Sequence, residues 1–153
     1  MRVQAMTSAN DKGRETSRQA ERFRRVRDAH QAELAEDYVE LIADLIEQTG
    51  EARVVDLSAR LGVTNATVTN TIQRLQRDGL VTSKPYRSIF LTQKGQDLAA
   101  TSRERHHVVR EFLMALGVDA ETADADAEGI EHHVSTATLE AFRRYVARPR
   151  RGR

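Results

Sequence analysis

Two short stretches of helical periodicity, separated by a turn of three or four residues and followed at once by a β-prone pair, constrain the fold of this chain more than any other feature. VVDLSARLGV places Val54, Leu57 and Leu61 at i, i+3 and i+7 and stops at Gly62. TNATVTNTIQRLQRDG places Val68, Ile72 and Leu75 at helical spacing, with Thr64 as N-cap and Gly79 as the stop. Helix, tight turn and helix make a helix-turn-helix. LVTSKPYRSIFLTQKG then supplies β-prone runs at residues 80–83 and 89–92 around a polar turn, and a hairpin at that point makes the motif winged.

The rest of the chain reads as helix. Leu34, Tyr38, Leu41, Ile42, Leu45 and Ile46 define a helix over residues 31–48 that ends before Gly50. A long helix is expected beyond Gly95, ending at Gly117. An acidic helix follows over residues 119–132, and a third helix starts at Ser135, a candidate N-cap. Residues 1–20 have no apolar periodicity and are expected to form a disordered arm, with order beginning near residues 20–23. The expected organisation is therefore mainly α: arm 1–20, winged helix-turn-helix domain 21–94, helical metal-binding and dimerisation domain 95–147, and basic, disordered tail 148–153.

Composition excludes several function classes. The chain has no cysteine, which removes disulfides, thiolate nucleophiles and cysteine-based metal sites. No run approaches the roughly 20 apolar residues needed to span a bilayer. The polar, basic N-terminus carries no apolar segment of a secretory signal, so cytoplasmic residence without a membrane partner is expected. Catalysis is not expected either. HExxH, a Walker A loop and a G-x-S-x-G elbow are missing, and the chain does not supply the two Glu-x-x-His pairs of a di-iron carboxylate bundle.

The net charge of +1 conceals an uneven distribution. Over residues 64–95, Arg74, Arg77, Lys84, Arg87 and Lys94 face one acid, Asp78. Over residues 119–131 the balance inverts, with six acids and no Lys or Arg. One region suits an anion and the other a cation.

A recognition helix reads base edges in the major groove with short polar side chains near its N-terminus, while long basic side chains reach phosphates. Thr64, Asn65, Thr67 and Asn70 fit the first role, and the two asparagines fit adenine. Arg74 and the wing residues Lys84, Tyr86 and Arg87 fit the second. One helix-turn-helix binds weakly, so a homodimer on double-stranded, palindromic DNA is expected.

Residues three and four apart share a helix face, so Asp37 and Glu40 project together, as do Glu128, Glu131 and His132. His106, in ERHHVV, is a further candidate ligand. Carboxylates and imidazoles without thiolate favour Mn²⁺ or Fe²⁺ over copper or structural zinc. Gathering several carboxylates is costly unless a cation compensates them.

The stretches EDYVELI, RVVDLSARLGVTNATVTNTIQRL, LVTSKPYRSIFLTQKG, ERHHVVREFL and above all DAEGIEHHVS resemble the diphtheria toxin repressor family of metal-dependent repressors over about residues 20–147. The resemblance implies metal ligation by Asp37, Glu40, His106, Glu128, Glu131 and His132. It implies a binuclear site, two ions per subunit, with Glu128 and Glu131 shared between them. Iron-responsive relatives carry Met at the position of Asp37 and Cys at that of Glu128, so the carboxylates here point to manganese and to repression of manganese uptake genes. The chain departs from the pattern in two places. Ser88 stands where relatives commonly have glycine after Tyr-Arg, and no third, barrel-like domain is expected after the helical one, as in the shorter manganese-responsive branch. The alternative is a winged-helix repressor responding to Fe²⁺ or to a small organic ligand.

Overall fold

The structure, a computed structural model, describes residues 3–84 and 86–148, with side chains from residue 11 onward. The chain divides into two compact units, Met1–Glu33 and Leu34–Arg153.

The first unit is helical from Val3 and forms the N-terminal part of α1 (Val3–Thr49). This corrects the expected disordered arm and the expected helix start near residue 31. Up to Glu33 the sequence has no proline and only one glycine, and it is rich in Arg, Ala, Gln and Glu, all good helix formers. An exposed helix needs propensity rather than an apolar stripe, and periodicity does not register it. Phe23 and Val26 are exposed here, and Arg25 pairs with Glu21 at 3.2 Å. The first two residues, and the tail expected to be disordered apart from Arg148, lie outside the described residues.

In the second unit the C-terminal part of α1 buries Tyr38, Val39, Ile42 and Leu45, and Gly50 ends it with φ of 83°. The expected helix-turn-helix follows as α2 (Val54–Leu61) and α3 (Asn65–Arg77). Gly62, at φ 67°, closes α2 in the left-handed conformation that glycine adopts without steric cost. The Ser58 hydroxyl donates to the Val63 carbonyl at 2.6 Å and holds the turn. Leu57, Val68, Ile72 and Leu75 then meet the α1 residues in one core.

The wing is smaller than the apolar runs suggest. β1 (Val81–Thr82) pairs antiparallel with β2 (Phe90–Leu91), in register Val81 to Leu91 and Thr82 to Phe90. An isolated bridge from Ile89 to Ala52 ties the hairpin to the α1–α2 link, with Ile89 N–H donating to the Ala52 carbonyl at 2.7 Å. Left-handed backbone in the wing turn falls on Tyr86, at φ 59°, and not on Ser88. Ser88 instead donates its hydroxyl to Glu51 at 2.9 Å, a second tie to the α1–α2 link.

α4 (Gln93–Ala115), capped by Thr92, joins the two cores. Gly95 lets it approach β1: a Cβ there would lie 2.1 Å from the Leu80 carbonyl oxygen. Ala99 completes the first core, while Val108 and Val109 pack with Ala127 and Leu139 in the second. α5 (Ala120–Ile130), capped by Asp119, stops two residues earlier than expected, so His132 sits in a turn. α6 (Thr136–Val146) starts at the expected cap, Ser135. Phe112 and Phe142 stack at 3.9 Å between α4 and α6.

Candidate metal centre and nucleic-acid interface

Four segments deliver the six expected ligands. α1 carries Asp37 and Glu40, α4 carries His106, α5 carries Glu128 with Glu131 at its C-cap, and the following turn carries His132. Glu131 is central: its side chain is almost wholly buried, with Oε2 2.6 Å from His106 Nδ1 and Oε1 3.4 Å from His132 Nε2. Glu128 stands at the exposed rim, 3.8 Å from His106 Nδ1. One ligand atom from each of His106, Glu128 and Glu131 lies within 4.8 Å of the others. Asp37 reaches His132 Nε2 at 3.1 Å from the α1 side. Glu40 accepts the Ser102 hydroxyl.

Electrostatics mark this as a place where negative charge is crowded. Burial pushes the Glu131 carboxyl up to about 7, with Glu40 adding to the effect and His106 and His132 opposing it. Burial likewise raises Glu40, against the Ser102 hydroxyl and with Glu128 and Asp37 behind it. Burial disfavours charge on both imidazoles, yet both pKa values are raised. Asp124, Glu131 and Glu128 outweigh burial at His106, and Glu36, Asp37 and Glu131 do so at His132. An assembly of oxygen and imidazole donors with its central carboxylate removed from water fits a hard to borderline divalent cation.

Several polar residues at the site were not among the expected set. Glu36 Oε2 lies 2.6 Å from His132 Nδ1, and Asp124 Oδ1 lies 3.0 Å from His106 Nε2. Ser102 donates to Glu40, and Arg105 donates to the carbonyls of Glu131 and Val134 at 3.0 and 2.7 Å, fixing the turn that presents His132. Two carried a local signal: Ser102 precedes His106, and Asp124 precedes Glu128, by one helical turn. Beside Ser102, Arg103 pairs with Asp44, a second polar tie between α4 and α1.

On the opposite chemistry, Asn65, Thr67 and Asn70 are exposed on α3, and Lys84, Tyr86 and Arg87 are exposed on the wing. Thr64 is exposed too, but its hydroxyl is the N-cap, accepting the Thr67 N–H at 3.1 Å and meeting the Thr67 hydroxyl at 3.0 Å. Arg74 departs from the expected outward phosphate contact. It is half-buried, and its Nη2 is buried without a hydrogen-bond partner among the described residues. Thr69 and Gln73 are also exposed on α3 and were not anticipated. A groove lined by Gln76, Thr82, Lys84, Arg87 and Phe90 runs between α3 and the wing. Among the described residues no helix is long and apolar enough to cross a membrane.

Known proteins show the same organisation. Residues 31–89 match the model of the iron dependent repressor N-terminal DNA binding domain, and residues 92–152 match that of the iron dependent repressor metal binding and dimerisation domain. The chain is 56% identical over 126 residues to the transcriptional regulator MntR of Escherichia coli O157:H7, covering 82% of this chain and 81% of that protein. It is 40% identical over 105 residues to the HTH-type transcriptional regulator MntR of Bacillus subtilis (strain 168), covering 69% and 74%. Among solved structures, a manganese-dependent transcriptional repressor in complex with manganese matches with a TM-score of 0.66 at 28% identity over 76% of this chain. The manganese regulator SloR matches with a TM-score of 0.64, also at 28% identity, over 75%. This chain spans 54% of the length of each of these two solved chains. On the sequence matches above all, the chain belongs to the iron-dependent, or diphtheria toxin, repressor family of metal-responsive, DNA-binding transcriptional regulators.

Proposed function

We propose that this protein is a cytoplasmic manganese-responsive repressor that binds a palindromic operator as a homodimer, with two ions per subunit held by Asp37, Glu40, His106, Glu128, Glu131 and His132. The observation that carries the reading is the position of Glu131, buried between the two imidazoles where α1, α4 and α5 meet. Bound Mn²⁺ would supply positive charge beyond what the two imidazoles offer this set of carboxylates.

The residues themselves supply the coupling. Asp37 and Glu40 belong to the helix whose Tyr38, Val39 and Ile42 form the core of the DNA-binding domain. Glu128, Glu131 and His132 belong to the domain built on α4, α5 and α6. When these acids are held together, α1 is held against α4 and α5, and with it the spacing of two recognition helices in a dimer. Ser102 and Arg103 already tie the same helices through Glu40 and Asp44. A ligand shifts such an equilibrium only by preferring one arrangement, and the two acids on α1 provide that preference. We further propose that the genes it represses when the ion is plentiful are those of manganese uptake.

An oxygen and nitrogen donor set also accepts Fe²⁺, so the test compares the two ions. Glu128→Ala removes a rim carboxylate that is largely exposed, so the fold should survive. The variant should bind DNA equally with and without Mn²⁺, whereas the parent protein gains affinity with Mn²⁺ more than with Fe²⁺. Mn²⁺-stimulated binding by the variant would contradict the assignment.

A further inference from the structure

We propose that Asp124 is a positioning residue for His106, fixing the ring so that Nδ1 is the nitrogen offered to the metal; this rests on the metal-binding reading above. The two nitrogens of His106 face different partners. Nδ1 lies 2.6 Å from Glu131 Oε2 and 3.8 Å from Glu128 Oε1, on the side where the candidate ligands converge. Nε2 points away from them and lies 3.0 Å from Asp124 Oδ1. Lone pairs on the two ring nitrogens diverge, so Asp124 does not share an ion with Nδ1. It accepts the N–H that remains once Nδ1 is a ligand.

The surroundings of Asp124 suit that task. It sits on α5 one turn before Glu128, so the carboxylate that orients His106 and a carboxylate that faces its other nitrogen share one helix face. Its side chain is 60% exposed, against an almost wholly buried Glu131, and the hydrogen bond from His106 outweighs the desolvation it does carry. The Arg110 Nε, one turn after His106 on α4, lies 3.3 Å from the same Asp124 oxygen. The negative charge of Asp124 is thus compensated within the protein, leaving it an acceptor rather than a competing ligand. A carboxylate on the outer nitrogen of a ligating histidine holds the ring orientation and raises the basicity of the ligating nitrogen, and losing it costs about 10–100-fold in metal affinity. A plain surface ion pair between Asp124 and Arg110 would leave metal affinity alone.

The test uses the full chain and Mn²⁺ alone, read by the electron paramagnetic resonance signal of free aqueous Mn²⁺. Asp124→Ala should bind Mn²⁺ about 10–100-fold more weakly. Asp124→Asn, which keeps an oxygen acceptor without the charge, should fall between. A second readout is independent of affinity. In Cd²⁺-loaded protein with ¹⁵N-labelled histidine, cadmium coupling should appear on His106 Nδ1. The Nε2–H proton should be protected from water exchange, and Asp124→Ala should lose that protection. Cadmium coupling on Nε2, or Mn²⁺ affinity of Asp124→Ala within about twofold of the parent, would overturn the inference. In either case the function reading survives if the parent binds Mn²⁺ and His106→Ala does not. A parent protein that fails to bind Mn²⁺ overturns both.

Discussion

Glu131 Oε2 lies 2.6 Å from His106 Nδ1, and this pair joins the C-terminal end of α5 to the middle of α4. Because Glu131 is almost fully buried, its charge is compensated only by the groups around it. They are the two imidazoles that share its carboxylate, against Glu40, which repels it. The centre therefore stores an unfavourable crowding of acids that a cation relieves.

That crowding gives the metal-free protein a defined response to pH. The Glu131 pKa is raised from 4.5 to about 7, so the folded state holds this proton more tightly than the unfolded chain does. The associated stability is full below about pH 4.5 and is lost as pH rises through 7. His106 and His132, also raised, lose their contribution above 6.5, in the same direction. Thermal unfolding in chelator should show a lower midpoint at pH 7.5 than at pH 5.5, and Glu131→Gln should shrink the difference. An unchanged difference in the variant would remove Glu131 as a main source.

Thr64 should behave as a cap rather than as a base reader. Its hydroxyl is committed to the Thr67 N–H at the start of α3. Thr64→Ala should cost about 1 kcal/mol of stability, read by chemical denaturation. Its preference among operator variants should stay that of the parent, whereas Asn65→Ala or Asn70→Ala should relax it. Altered operator preference in Thr64→Ala would return the hydroxyl to the base-reading set.

Arg87, exposed on the wing, should contact phosphate. Arg87→Ala should weaken binding to all sequences and lower the slope of log affinity against log salt by about one per protomer. Mn²⁺ affinity should not change. An unaltered slope would place Arg87 outside the interface.

Features carried by local signals were legible in the sequence. Glycines at 62 and 79, the caps Thr64 and Ser135, and apolar spacing at 3.6 residues define α2, α3 and α6 without reference to the rest of the chain. Spacing of i, i+3 and i+4 grouped Asp37 with Glu40 and Glu128 with Glu131 and His132 as candidates, while His106 and the assignment of all six as ligands came from the family resemblance. Features made by packing were hidden. Glu36 reaches His132 from a residue 96 positions away, and Gly95 is required only because α4 crosses the Leu80 carbonyl. The N-terminal part of α1 escaped for the opposite reason: it buries little, so no apolar stripe announces it. At the wing, the glycine-like conformation fell on Tyr86, which leaves Ser88 free to bond Glu51.

The most direct measurement is retention of labelled genomic fragments by metal-free protein at fixed salt, with Mn²⁺ and with chelator. Selective retention of a few fragments in Mn²⁺ alone is the predicted result, and those fragments should share a palindrome. Equal retention in Mn²⁺ and chelator would contradict the account, because the carboxylate centre around Glu131 would then not govern DNA binding.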